Sequence, residues 1–141
     1  MTFQAPEGFT LVPMTREPES FLSVTGPYYM NMNAAAGTMH WGFYAEPRHC
    51  NPSGFLHGGM LATFVDIIMG GAAFMTVGAP VATITLNTEF LTAGRPGAWY
   101  EGVGEVVRKA RTLCFVKGEV RCGDRLVLVA SGTWAIIGAG K

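Results

Sequence analysis

From Met60 to Val77 the chain is apolar at nearly every position and carries one charge, Asp66. Leu61, Phe64, Val65, Ile68, Ala72 and Met75 surround most of the helical circumference. The pattern predicts one long helix over Gly58–Val77, packed on nearly all sides. After Gly78 and Pro80 the period changes to two. Ala82, Ile84, Leu86 and Phe90 alternate with Thr83, Thr85, Asn87 and Glu89, the signature of a half-buried strand. Trp99–Val107 predicts a second strand, and Arg108-Lys109-Ala110-Arg111 a basic connection. In Leu113–Cys122, Cys114, Val116, Gly118 and Val120 alternate with Phe115, Lys117, Glu119 and Arg121. Gly123-Asp124 reads as a tight hairpin turn, and Arg125–Ile137 as a last strand.

Upstream, Met39–Ala45 predicts a strand rich in aromatics, and Pro47–Leu56 a loop punctuated by Pro52 and Gly54. Phe21–Asn33 supplies a short helix or strand before a turn at Ala34–Gly37. Residues 1–20 hold three prolines and read as an irregular lead-in, leaving 21–141 as a single domain. One helix with strands joined by short turns is an α+β plan. The sheet must be antiparallel, because each parallel crossover needs about a dozen residues. About five to six strands are expected to curve around the helix.

Size and composition narrow the picture. The chain has 141 residues, room for one domain with a real core. Only 14% of residues are charged, against about 25% in a typical soluble domain. That deficit predicts a surface partly covered by another copy of the chain. Zero net charge gives no support to nucleic-acid binding or to adhesion on anionic membranes. Three cysteines without a zinc-like pair, and no signal-peptide pattern at the N-terminus, point to the cytoplasm. The Gly58–Val77 run approaches the length of a membrane span. Asp66 at its centre, Gly70 and Gly71, and the absence of flanking basic residues favour a buried helix.

Asp66 is where chemistry is expected. A carboxylate in apolar surroundings is costly to desolvate without a partner, and such groups gather at functional sites. An apolar setting raises a carboxyl pKa and makes a better base. Just upstream, His57-Gly58-Gly59 opens the helix, where free backbone N–H groups and the dipole stabilise negative charge.

The constellation Asn51-x-x-Gly54-x-x-His57-Gly58-Gly59-x6-Asp66, before a long helix and ahead of four strands, resembles the hotdog-fold acyl-CoA thioesterases. The subgroup it resembles is the phenylacetate-pathway type of the 4-hydroxybenzoyl-CoA thioesterase superfamily. Leu86–Leu91 and Ala130–Thr133 are similar to that family as well. The resemblance implies an α+β hotdog fold and an acyl-CoA substrate cleaved without metal or cofactor. It also implies a homodimer, often a dimer of dimers, with the active site at the interface. Asp66 is then the nucleophile or the general base, and the Gly58 N–H the oxyanion donor. Asn51 holds the water or touches the thioester, His57 shapes the turn, and Thr83 helps to position the water. The alternation above, however, turns Thr83 away from the helix. Gly59 and Phe90 join the substrate site, and Arg108, Lys109 and Arg111 hold the phosphates of coenzyme A, with Arg95 a lesser candidate.

Plainer readings stand beside these. Gly58 and Gly59 allow a tight turn into the helix; His57 caps it; Asn51 caps the preceding loop. His49, Cys50 and His57 lack the spacing of a metal site. The methionines Met30, Met32, Met60, Met69 and Met75 line an adaptable pocket or, on the plainer reading, fill the core. Two other functions remain open: a hydratase or dehydratase of acyl thioesters on the same fold, and a non-catalytic acyl-CoA-binding module.

Overall fold

The computed structural model describes residues 3–13, 20–33, 35 and 37–140. In chain order the elements are β1 (Phe9–Leu11), α1 (Phe21–Thr25), β2 (Tyr29–Asn31), β3 (Thr38–Tyr44), α2 (Gly58–Val77), β4 (Val81–Phe90), β5 (Trp99–Lys109), β6 (Leu113–Cys122) and β7 (Arg125–Ile136). A 3-10 turn over Pro47–His49 interrupts the loop before α2. All seven strands form one sheet in the order β1-β2-β3-β5-β6-β7-β4, with every neighbour antiparallel. Helix α2 lies across it, so the chain has the hotdog architecture its sequence resembles. β1 and β2 extend the sheet at one edge beyond the strands that periodicity revealed. Part of the expected lead-in is therefore a strand, and Phe21–Asn33 supplies both a helix and a strand. Of the turn expected at Ala34–Gly37, Ala34 and Ala36 lie outside the described residues.

The helix has the bounds its pattern predicts. His57 caps its start, and Gly78, at φ 71°, closes its end in the left-handed region where glycine carries no steric penalty. Phe64, Val65, Ile68, Met69, Ala72 and Ala73 are fully buried against the sheet. Inward-facing glycines let the helix sit this close. A methyl group on Gly104 would lie 2.9 Å from the backbone oxygen of Ile68, and one on Gly102 2.2 Å from the Ile68 side chain. Aromatic rings fill the rest: Tyr28 stacks on Phe64 with centroids 6.0 Å apart, and Phe43 meets Phe64 edge-on at 4.6 Å.

The packing is one-sided, which corrects the expectation of a helix covered all round. Ala62, Thr63, Asp66, Ile67, Gly70 and Gly71 are only half-buried, and Phe74 and Met75 are exposed. Spaced three and four apart, they form one stripe along the helix. Met60 and Met69 are buried, whereas Met32 and Met75 are exposed rather than core-filling.

Two β-bulges change what alternation predicts. In β4, Thr83 pairs with Trp134 and Thr85 with Thr133, leaving Ile84 as the extra residue. A bulge reverses the side-chain parity on either side of it. Val81 and Leu86 accordingly both pack toward the core, although simple alternation would place them on opposite faces. In β5 the register shifts between Val106 and Arg108. Past this bulge pairing resumes, so Arg108 and Lys109 belong to the strand and the connection shrinks to the turn around Ala110–Thr112.

Candidate active site

The start of α2 is built on backbone ties. The Leu56 N–H donates to the Gly94 carbonyl at 2.9 Å, and the His57 N–H to the His49 carbonyl at 2.9 Å. The Tyr100 hydroxyl accepts from the Arg95 N–H at 2.7 Å and donates to its carbonyl at 3.0 Å, pinning the loop that carries Gly94. Asn51 Oδ1 accepts from the N–H groups of Ser53 (3.0 Å) and Phe55 (3.2 Å). Asn51 therefore does cap its loop, and its Nδ2 amide is the group left to meet a ligand.

At the tip, His57 is the N-cap: its Nδ1 accepts from the Gly59 N–H at 2.8 Å. Met60 and Leu61 donate to the His57 carbonyl. Among the described residues the Gly58 N–H has no partner. It opens beside the ring of Phe90, which would lie 3.6 Å from a methyl group at Gly58. Asn51, Leu56, Gly58, Leu61, Phe90 and Gly94 bound a cavity of about 360 Å³ here. Gly58, Asn51 and Phe90 are thus brought together, with an oxyanion-ready donor at their centre.

Asp66 lies elsewhere. Eight residues further along the helix, it sits about 12 Å from Gly58, too far for both to act on one carbonyl. Its Oδ1 accepts from the Thr83 hydroxyl at 2.8 Å. The doubt about Thr83 raised by alternation is thereby overturned, because the bulge at Ile84 turns Thr83 back toward the helix. The carboxylate is half-buried and its setting in one chain is less enclosed than the apolar run suggests.

The basic residues share the Asp66 end. Thr83, Trp134, Cys114 and Lys109 lie on one rung across β4, β7, β6 and β5. Lys109 is thus three strands, about 14 Å, from Thr83. Arg108, Lys109 and Arg111 are exposed and make no ion pair among the described residues. They stand far from Gly58 of the same chain, because Phe90 is at the opposite end of β4. Arg95 is at the Gly58 end, its guanidinium 5.0 Å above the Phe55 ring.

His49, weighed in the sequence only as a metal ligand, has a structural place instead. Its Nδ1 accepts from the Glu46 N–H at 3.0 Å, and the side chain is buried. Burial, and then the neighbouring Arg48 charge, hold its pKa below the ordinary histidine value. The Glu46 charge, and then the Thr25 and Gly26 carbonyls, pull the other way, yet among the described residues Nε2 has no partner at hydrogen-bonding geometry. Burial likewise pushes the Cys114 thiol up, making it unreactive at neutral pH.

The sequence profile of the thioesterase superfamily matches residues 53–129, more than half of the chain and the stretch holding Gly58, Asp66 and Thr83. The chain belongs to the thioesterase superfamily. This thioesterase is 30% identical over 131 residues to a Pseudomonas aeruginosa protein named as an esterase, covering 92% of this chain and 95% of that one. It is 29% identical over 102 residues to human acyl-coenzyme A thioesterase 13, covering 72% and 73%. Zebrafish thioesterase superfamily member 2 superposes with a TM-score of 0.77 at 26% identity, covering 84% of this chain and 89% of that one. The protein is a thioester hydrolase with the hotdog fold.

Proposed function

We propose that this thioesterase hydrolyses acyl-CoA at a site shared by two copies of the chain. The observation that carries the proposal is a division of labour along one helix–strand pair. The free Gly58 N–H sits with Phe90 at one end, and Asp66 with Thr83 at the other. A two-fold axis near Leu86 and Asn87 would set the β4 edges side by side and antiparallel. Phe90 of each chain then faces Thr83 of its partner, and Gly58 faces the partner's Asp66. The same operation covers the half-open stripe of α2 and the exposed side chains of Ile84, Phe90 and Leu91.

In this arrangement the thioester oxygen rests on the Gly58 N–H, reinforced by the helix dipole. The Asp66 carboxylate, steadied by Thr83, either attacks the carbonyl carbon or draws a proton from an attacking water. In the first route the C–S bond breaks as an anhydride forms between the acyl group and Asp66, which water then hydrolyses. In the second the water oxygen bonds to the carbonyl carbon as the C–S bond breaks. Either way the departing thiolate takes up the proton released by water, and the products are a carboxylic acid and the free thiol of coenzyme A. Asn51 Nδ2 is placed to hold the water or the thioester. His57 works through the cap that presents Gly58. The partner's Arg108, Lys109 and Arg111 hold the phosphates. The relative named as an acyl-coenzyme A thioesterase supports this substrate class.

Subunit complementation tests the proposal. Asp66→Asn and Gly58→Pro each inactivate release of thiol from an acyl-CoA. Refolded together, the two variants regain activity, because a mixed pair contains one intact Gly58–Asp66 site. No recovery in mixtures shown to contain mixed pairs would refute the shared site.

A further inference from the structure

A second cavity, of about 480 Å³, flanks the same helix tip on the side away from Phe90. Its walls are Phe21 and Val24 of α1, Met60 and Thr63 of α2, and His57 with Gly59 at the tip. Gly58 faces one cavity and Gly59 the other. A thioester whose oxygen rests on the Gly58 N–H straddles this tip and sends one substituent of its carbonyl to each side.

The two sides differ in chemistry. Asn51, the Thr92–Gly94 backbone and nearby Arg95 give the first cavity polar groups that suit the amides of a pantetheine arm. The second is walled by Phe21, Val24 and Met60, beside an uncharged, buried His49. Arg48, the one cation lining it among the described residues, is committed: the guanidinium pairs with Glu46 at 3.0 Å and donates to the carbonyls of Val24 and Gly26. α1 itself buries none of its residues completely, and Phe21 and Val24 are 62% and 59% exposed. It is nevertheless tied down by Arg48 and by the Tyr28 hydroxyl, which donates to Thr25 Oγ1 at 2.8 Å. α1 meets the core only through half-buried Leu22, so the exposed Phe21 and Val24 beside the cavity are explained if the helix forms a wall for something else.

We infer that the cavity between α1 and α2 receives the acyl group of the substrate, and that it selects neutral, apolar acyl chains, with Val24 and Phe21 as the selecting wall. This rests on thioester hydrolysis at Gly58. It assigns Arg48 a positioning role, through α1.

Hydrolysis rates for acetyl-, hexanoyl-, octanoyl- and succinyl-CoA test the inference. The wild-type kcat/KM should favour hexanoyl- over acetyl- and succinyl-CoA by about tenfold or more. Val24→Trp, at an exposed position the fold tolerates, should cut the octanoyl-to-acetyl ratio about tenfold. Phe21→Ala should raise that ratio and serves if Val24→Trp does not fold. Arg48→Lys, which keeps the charge but loses the fork across the two carbonyls, should lower kcat/KM for octanoyl- more than for acetyl-CoA. Succinyl-CoA turned over as fast as hexanoyl-CoA, or ratios unchanged within about twofold in the folded variants, would overturn the inference while leaving hydrolysis at Gly58 intact. A wild-type protein inert on all four substrates would instead overturn the underlying function, and this inference with it.

Discussion

The two ends of the α2–β4 pair are finished to different degrees within one chain. At the Gly58 end nearly every polar group has a protein partner. His57 caps Gly59, Asn51 closes its loop, Tyr100 pins Arg95, and among the described residues the Gly58 N–H and the Asn51 Nδ2 amide are the donors left over. At the Asp66 end a half-buried carboxylate leans on one hydroxyl, with exposed Ile84 next to Thr83 and exposed Phe74 and Met75 about two turns further along the helix. The contrast teaches that one chain can fix a free helix-tip donor by local hydrogen bonding, whereas the carboxylate of Asp66 stays half-open within that chain; the proposed pairing of two copies would close it. Preorganised donors lose no energy in reorganising as charge develops.

The sharpest way to break the comparison is to remove the acid. Asp66→Asn should keep the fold, with an unchanged circular dichroism spectrum, and lower kcat by about 10²–10⁴-fold. Turnover near the wild-type rate would take Asp66 out of the chemistry. Next comes Gly58→Pro. Gly58 is the first helical residue, where proline is welcome, and His57 already has the extended conformation, φ −63° and ψ 133°, that must precede proline. The change deletes one N–H from the tip, so kcat should fall about 10²–10³-fold while thermal stability holds. Thr83→Val removes the hydroxyl that steadies Asp66, and a loss of about tenfold in kcat is expected from one hydrogen bond to a charged group.

Stability measurements sharpen the rest. Gly104→Ala would push a methyl group against the Ile68 backbone, which cannot rotate aside as a side chain can. It should cost about 1–3 kcal/mol, read as a lower midpoint in urea. The smallest effect is on pH dependence. Folded His49 has a depressed pKa, so the unfolded chain takes up the proton first as pH falls. Its contribution to stability is whole above the ordinary histidine value of about 6.5 and is lost as pH drops from there toward the depressed folded value. The melting temperature should therefore decline on acidification through this window. His49→Asn, which keeps an acceptor for the Glu46 N–H, should flatten that limb.

Much of this was legible before any coordinates. Periodicity alone marked α2 residue for residue and β6 with its correct buried face, because spacing along one segment is a local property. The single charge in an apolar run singled out Asp66, and the glycine pair marked the helix start. Tertiary structure decided what depends on pairing with distant segments. The bulge at Ile84 exists only against β7, and it, not the local pattern, turns Thr83 toward Asp66. The bulge after Val106 likewise carries Arg108 and Lys109 into β5. Nothing in the local spacing of Phe90 or Val24 tells that one ring covers Gly58 or that α1 walls a cavity. Those contacts join residues 32 or more positions apart in sequence, and only the closing of the sheet around the helix brings them within reach.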